Sequence, residues 1–574
     1  MKKSIYAGIL SLMILLFAGC GEAEKTNKDA LDKESQDTIE ALIPDSEVSK
    51  ADALTENDVL DGNKENAENG VLNEDDSKEE DKTMTIEDVF ANLTMAKGYK
   101  GFEDGNPIMI QSYGADPFAM VYKDRVYFYM TADNEDYDSK GELKENGYGQ
   151  IKTIRIVSTD DFVNYEDHGY IKIAGTICKW ARNSWAPAAC WKNIDGKDKF
   201  FVYFADSGNG IGVVTADSPT GPFTDPLGTA LINRKTPNCA NVEWLFDPAV
   251  MVDDDGTGYL YFGGGIPASA TAAAPGTGRC VKLGDDMISL ATEPVSMDIP
   301  YLFEDSGIHK YNDKYYYSYC TNWNVDAEGT KTYGFNNAEI VVMESDSPLG
   351  PFVYKERVLK NPGTVFGLYG NNHHCIFTFN GEWYITYHAR TLEKYKKIEK
   401  GYRSTHVNSF KMGEDGSIGN ITMNKKGPEA LKNVDAYSFN MASCGAILAG
   451  VTLKGADEVS LKEGCGTMTV SGIDSGDYIF IRNVDFKEKK AEKVIIKLAK
   501  CSDVSEDAGI MVTTGMPTRK QGNNKFALYE VLKSANEGEY IEYSFELLDV
   551  LEGVQNIGFI FAGSGYEMLG FKFE

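Results

Sequence analysis

Along most of the chain, apolar and polar positions alternate with period two over short runs, and the alternation comes in hairpins rather than at helical spacing. Five hairpins share one design: FAMVYKDRVYFYMTA (118–132), CWKNIDGKDKFFVYFAD (190–206), VMVDDDGTGYLYFGGG (250–265), IHKYNDKYYYSYCTN (308–322) and CIFTFNGEWYITYHA (375–389). Each is an apolar run, a polar turn built on Asp, Asn or Gly, and an aromatic alternating strand. Recurrence at a period of roughly sixty residues is the mark of a propeller blade. The pattern predicts an all-β chain whose first folded part is a five-bladed β-propeller.

The last hairpin is followed by GYRSTHVNSFKMGEDGSIGNITM (401–423), another β segment, and by the polar stretch KKGPEALKNVDAY (425–437). A boundary is therefore expected near residue 433, with the propeller spanning 94–432. Beyond it, short alternating strands recur at 467–486, 493–500, 509–515, 539–547 and 556–563. That pattern predicts a β-sandwich, of jelly-roll type, over 433–574.

The first 93 residues read differently. Lys2 and Lys3, an apolar run and LFAGC ending at Cys20 form a secretory signal of lipoprotein type over 1–20, with Cys20 the lipidated residue. Residues 21–90 carry 23 Asp and Glu against 7 Lys, with Phe90 the only aromatic. Such a run is expected to be an extended, disordered tether, drawn over 21–93. An extracellular, cell-surface lipoprotein attached to the bacterial membrane by its lipid follows. About half of the formal charge of −30 lies in the tether, and no basic patch offsets it, which excludes nucleic acid as a partner. A monomer is expected. Nine scattered cysteines remain after Cys20 with no C-x-x-C, which supports neither a zinc site nor a dense disulfide framework. Only Cys444 and Cys465 suggest a pair.

Three acids precede the aromatic strands at similar offsets: Asp116 in GADPFAMVY, Asp247 in WLFDPAVMV and Glu304 in LFEDSGIHKY. Each lies in or beside an apolar stretch, where an ionised carboxylate is costly unless partnered or protonated. One such acid could simply cap a turn. Three in phase on a propeller would face one axis, and a carboxylate pair with a third acid nearby suits glycoside hydrolysis, because the third charge raises the pKa of the proton donor. Trp180, Trp185, Trp244 and Phe246 lie just before blade strands and could grip a sugar or serve as core. His373 and His374 stand in the fifth repeat where the others carry acids.

Residues 95–432 resemble glycoside hydrolase family 43, in particular the arabinoxylan arabinofuranohydrolases, through GADPFAMVY, NSWAPAACW (183–191), WLFDPAVMVDDDGTGYLYFGGG, LFEDSGIHKYNDKYYYSYCTN, NNHH (371–374) and GYRSTHV (401–407). The resemblance implies inversion of configuration, with Asp116 as general base, Asp247 tuning pKa and Glu304 as general acid. It also implies Arg403 and His373 at the substrate, and a central calcium beside His374 held largely through water. On residues alone the two histidines fit a structural turn as well, since calcium prefers oxygen ligands. No organic cofactor is implied. His309, His388 and His406 read as packing or hydrogen-bonding residues.

Residues 433–574 resemble a family 6 carbohydrate-binding module through SGIDSGDYIFIRNVDF (471–486) and GSGYEMLGFKFE (563–574), but Leu569 and Gly570 stand where Asp-Trp is often found and Asn440 where a glutamate often helps hold calcium. Tyr540, Tyr543, Tyr566 and Phe571 are the candidate aromatics. The expected function is release of arabinose side chains from arabinoxylan, a plant cell-wall polysaccharide. The alternatives are β-xylosidase or endo-arabinanase action on the same fold, or a noncatalytic surface glycan-binding lipoprotein.

Overall fold

The computed structural model describes residues 85–517 and 522–574, so Cys20, the signal segment and the tether up to residue 84 lie outside the described residues. The all-β expectation holds: strands dominate, and the longest helix among the described residues, Ala327–Tyr333, has seven residues.

Five antiparallel sheets follow one another in chain order. Their first strands are β1 (Ala115–Tyr122), β2 (Trp185–Ile194), β3 (Ala249–Val252), β4 (Leu302–Tyr311) and β5 (His374–Phe379). Each pairs with the aromatic strand of its hairpin, for example β1 with Arg125–Thr131 and β5 with Glu382–Ala389. Three of the turns, Asp195-Gly196, Asn312-Asp313 and Asn380-Gly381, have φ > 0 at both central residues. This is the type I′ geometry whose twist matches the strands it joins. The first strands also pack side by side, β1 on β2, β2 on β3, β3 on β4, β4 on β5, and β5 back on β1, which closes a ring.

Chain entry and exit lock that closure. Ile108 N–H donates to Thr405 O and Gly114 N–H to Arg403 O, so the segment before β1 hydrogen-bonds to the outer strand of the fifth sheet, Ser404–Phe410, and to the residue before it. The Asn106 amide bonds both the N–H and the carbonyl of Val407 on the same strand.

From residue 434 the chain builds two six-stranded sheets around a second apolar core that includes Ile479, Ile496, Ile510, Phe559 and Phe571. These sheets and the ring belong to one compact unit. Cys444 and Gly445 extend the first ring sheet by pairing with Glu166 and Tyr165, and the Asn164 side chain bonds the backbone N–H and carbonyl of Arg482. All nine described cysteines are free, Cys444 and Cys465 among them.

The tether boundary at 93 needs correction. Thr85 caps a helix, α1 (Ile86–Ala91), in a reciprocal box with Asp88. Val89, Phe90 and Leu93 are buried against Tyr478, Met511 and Ile560. Residues 86, 89, 90 and 93 form an apolar stripe at helical spacing, short enough to be swamped by the acidic composition around it. Phe90→Ala should cost about 3–5 kcal/mol of stability, measurable by chemical denaturation, whereas a residue in a free tether would leave the midpoint unchanged.

Candidate active site

The inner ends of the ring strands carry a repeated backbone irregularity. Asp116, Ala186, Asp247 and Asp305 all sit in the left-handed region, with φ of 47°, 40°, 48° and 70°. In β1, β2 and β4 the ladder slips register at this point. A bulge of this kind re-aims a side chain out of the alternation of its strand. In three of the four the next residue is proline, Pro117, Pro187 or Pro248, which has no N–H to leave unpaired at the slip.

The re-aimed side chains converge. His373, just ahead of β5, has ring nitrogens 3.5 Å from Asp116 Oδ1, 3.9 Å from Asp247 Oδ2 and 3.1 Å from Asp305 Oδ1. Asp305 N–H donates to Asp247 Oδ2 at 2.9 Å. Arg403 joins the group from 287 residues away in sequence, its Nη1 donating to Asp116 Oδ1 at 2.8 Å. The rest of its guanidinium grips Asp133 through Nε and Nη2, and its backbone N–H bonds the same carboxylate. Asp116, Asp247, Glu304, His373 and Arg403 are all buried.

Burial alone would raise the Asp116 pKa, but Arg403, then His373 and His388, outweigh it and hold the carboxyl far below the ordinary range. Glu304 moves the other way: burial and the charges of Asp247, Asp116 and Asp305 push it well up. Asp247 is also pushed up, by burial and by Asp116. Between these two the proton belongs on Glu304. Asp247 accepts the Asp305 N–H and faces His373, whereas Glu304 Oε1 is buried with no hydrogen-bond partner among the described residues. An orphaned buried carboxyl oxygen costs about 1–3 kcal/mol or more, a penalty relieved by a proton or by a ligand atom. The site thus holds one carboxylate kept ionised and one carboxyl kept protonated, which is the division of labour that acid–base chemistry needs.

The aromatic residues divide. Trp244 packs edge-on against Phe246 and Phe303, each at 5.2 Å, flanking Asp247 and Glu304. Trp185 donates to Tyr148 O, and the Tyr148 ring lies 4.9 Å from the Arg403 guanidinium. Trp180 does not join them. It stacks on Phe204 and donates to Asp225, so packing claims it. In the C-terminal sheets Tyr566 and Phe571 are core residues. Tyr540 bonds Glu567 and Tyr543 bonds Val531 O.

His374 does not fit as a direct metal ligand. Nδ1 faces Asp305 Oδ2 at 2.5 Å and Nε2 faces Ser318 Oγ at 2.7 Å, which leaves no ring nitrogen open. Among the described residues no group of His, Cys, Asp and Glu forms a metal-holding cluster.

Sequence reading missed Asp305, Asp133, Tyr148 and His388. Asp305 is the instructive case. It, not Glu304, shares the left-handed position of Asp116 and Asp247, and Glu304 precedes it by one residue. The adjacent acids in LFEDSG were the available signal. His388, read only as a packing or hydrogen-bonding residue, lies against Asp116, with Nδ1 3.0 Å from its backbone N and 3.2 Å from its carboxylate.

Residues 105–418 match the family described as Glycosyl hydrolases family 43. The chain belongs to that family. It is 49% identical over 397 residues to an arabinoxylan arabinofuranohydrolase of Paenibacillus polymyxa, across 67% of this chain and 61% of that protein. It is 44% identical over 405 residues to one of Bacillus subtilis (strain 168), across 67% of this chain and 77% of that protein. A solved family 43 arabinoxylan arabinofuranohydrolase from Bacillus subtilis superposes with a TM-score of 0.77 at 38% identity, across 84% of this chain and 99% of that one. The matched stretch therefore spans less than two thirds of the Paenibacillus protein.

Because Asp247 is the charge that does most, after burial, to raise the Glu304 pKa, Asp247→Asn should move the alkaline limb of the pH–rate profile to lower pH. An unmoved limb in kcat/KM would place the shared proton on Asp247 instead.

Proposed function

We propose that this protein is an inverting α-L-arabinofuranosidase that removes arabinose side chains from arabinoxylan. The single observation behind the proposal is the contrast between two carboxyls in one buried cluster, Asp116 bonded to the Arg403 guanidinium and Glu304 with an orphaned oxygen, from which we infer an ionised Asp116 and a protonated Glu304. In this reading Asp116 withdraws a proton from water as it attacks the anomeric carbon. Glu304 gives its proton to the departing glycosidic oxygen, and Asp247 keeps that proton in place by its charge. The choice of arabinose over xylose rests on the two arabinoxylan arabinofuranohydrolase relatives, at 49% and 44% identity.

We read the ring of five sheets as a five-bladed propeller and the C-terminal pair as a β-sandwich. The sandwich reading follows from two sheets sharing one core. The Bacillus subtilis relative was solved with cellotetraose, which supports a carbohydrate-binding role for some part of the shared architecture. With two of the four candidate aromatics buried, a family 6 type platform in this chain would have to be built from other residues. A calcium at the ring centre is proposed only as a water-coordinated ion, because neither nitrogen of His374 is open to it. Export and lipid anchoring at Cys20 remain the proposal for location.

Incubation with arabinoxylan, linear xylo-oligosaccharides and linear arabinan should release free arabinose from arabinoxylan, first as the β-anomer in proton NMR. Xylose from the oligomers would favour the β-xylosidase alternative, short arabino-oligosaccharides from arabinan the endo-arabinanase one, and no product from any of the three a noncatalytic protein. Glu304→Gln should lower kcat by about 10²–10⁴ while substrate binding persists. A near-normal kcat would remove Glu304 from the acid role.

A further inference from the structure

The third sheet carries a second feature two strands out from the acids. Phe246 O accepts from Gly263 N–H, Phe262 pairs with Arg279, and Arg279 pairs with Ser296 on the outermost strand, Val295–Ser296. Arg279 is thus at the same end of the sheet as Asp247, about two strand spacings, ~10 Å, further from the ring centre. It is only 6% exposed. Nε donates to Asn238 O, and Nη1 to Gly276 O, Gly278 O and Ser296 Oγ. Among the described residues Nη2 makes no hydrogen bond and no carboxylate lies within ion-pair distance. Burial pushes the Arg279 pKa down, opposed only in part by the Cys239 and Cys280 thiols, yet a guanidinium stays charged in proteins.

This buried, unpaired cation lines a cleft of about 580 Å³ together with Asn238, Asn241, Glu293, Val295 and Ser296. That volume is within the ~300–1,000 Å³ usual for small-ligand sites. The loop that supplies Asn238 and Asn241 continues directly to Trp244 and the acids. A chain of −30 formal charge has no shortage of carboxylates to neutralise a guanidinium, so one left bare and fixed by three carbonyls and a hydroxyl is set to receive an anion from outside. The lining also offers two amides, a hydroxyl and the small apolar surfaces of Ala240, Pro294 and the 41% exposed Val295, which suit sugar hydroxyls and a C–H face. Glu293, the carboxylate in the lining, disfavours a doubly charged phosphate.

We propose that this cleft is a subsite for a hexuronic acid unit on the polysaccharide, with Arg279 receiving its carboxylate. The proposal rests on the reading of the protein as an enzyme of plant cell-wall polysaccharide. It extends that reading by assigning preference for acidic over neutral stretches of the substrate.

Calorimetry with xylo-oligosaccharides of equal length, one bearing a glucuronic acid branch and one neutral, separates the two claims, since neither carries arabinose. The acidic ligand should bind at least tenfold more tightly, with the preference shrinking as salt is raised. Arg279→Gln should abolish the preference, and Glu293→Gln, which removes a competing carboxylate at an exposed position, should increase it. Arabinose release from neutral arabinoxylan by the unaltered protein is followed in parallel, so loss of the arabinofuranosidase reading would show there and not in the binding data. Equal affinity for the two oligosaccharides in wild type and Glu293→Gln overturns the proposal, whatever Arg279→Gln does to folding. Free acetate binding as tightly as the acidic oligosaccharide overturns it in favour of a general anion site.

Discussion

One guanidinium divided between two carboxylates governs the chemistry at the centre of this molecule. Arg403 satisfies Asp133 with Nε and Nη2 and has one nitrogen, Nη1, left for Asp116. It therefore fixes where the negative charge stays. Among the described residues no second Lys or Arg forms an ion pair with Asp247, Asp305 or Glu304, and in a buried cluster that many carboxyls cannot all ionise. The carboxyl without a donor takes the proton, and the orphaned oxygen of Glu304 identifies it. The site's acid and base are thus two outcomes of one shortage of positive charge.

The fold exists in a form that makes this shortage possible. Asp116 and Arg403 come from opposite ends of the ring, and the same closure that bonds Gly114 N–H to Arg403 O brings their side chains together. The left-handed kinks at Asp116, Asp247 and Asp305 turn side chains inward at a point where regular alternation would send some of them into the sheet interfaces. Ala186, at the equivalent kink in the second sheet, adds no charge. The ring is both scaffold and charge-gathering device, and its stability is tied to the chemistry through the residues that close it.

Much of this was legible in the sequence. The hairpins announced themselves because period-two alternation and Asp-Gly or Asn-Gly turns are local signals, and the phased acids because they break an apolar context. The rest depends on contacts no local pattern encodes. Asp305 was hidden by its neighbour: phasing by sequence offset selected Glu304, whereas backbone torsion aligns Asp305 with the other two aspartates. Helix α1 was masked by the acidic composition around its four apolar residues. Trp180 could face a sugar or a core equally well until Phe204 and Asp225 claimed it, and the nitrogens of His374 were spent on Asp305 and Ser318, neither of which its own segment reveals. The docking of the C-terminal sheets through Cys444 and Gly445 onto the first ring sheet is likewise a long-range pairing.

The central claim is that Asp116 and Glu304 sit in opposite protonation states within one buried cluster. Carbon-13 NMR of selectively carboxyl-labelled protein, with each resonance assigned by Asp116→Asn and Glu304→Gln, reads this directly across a pH titration. The account predicts a Glu304 carboxyl carbon still in its protonated position at neutral pH, and an Asp116 carbon that remains ionised down to the lowest pH at which the protein stays folded. Two carboxyls titrating together near the ordinary Asp and Glu values would contradict it.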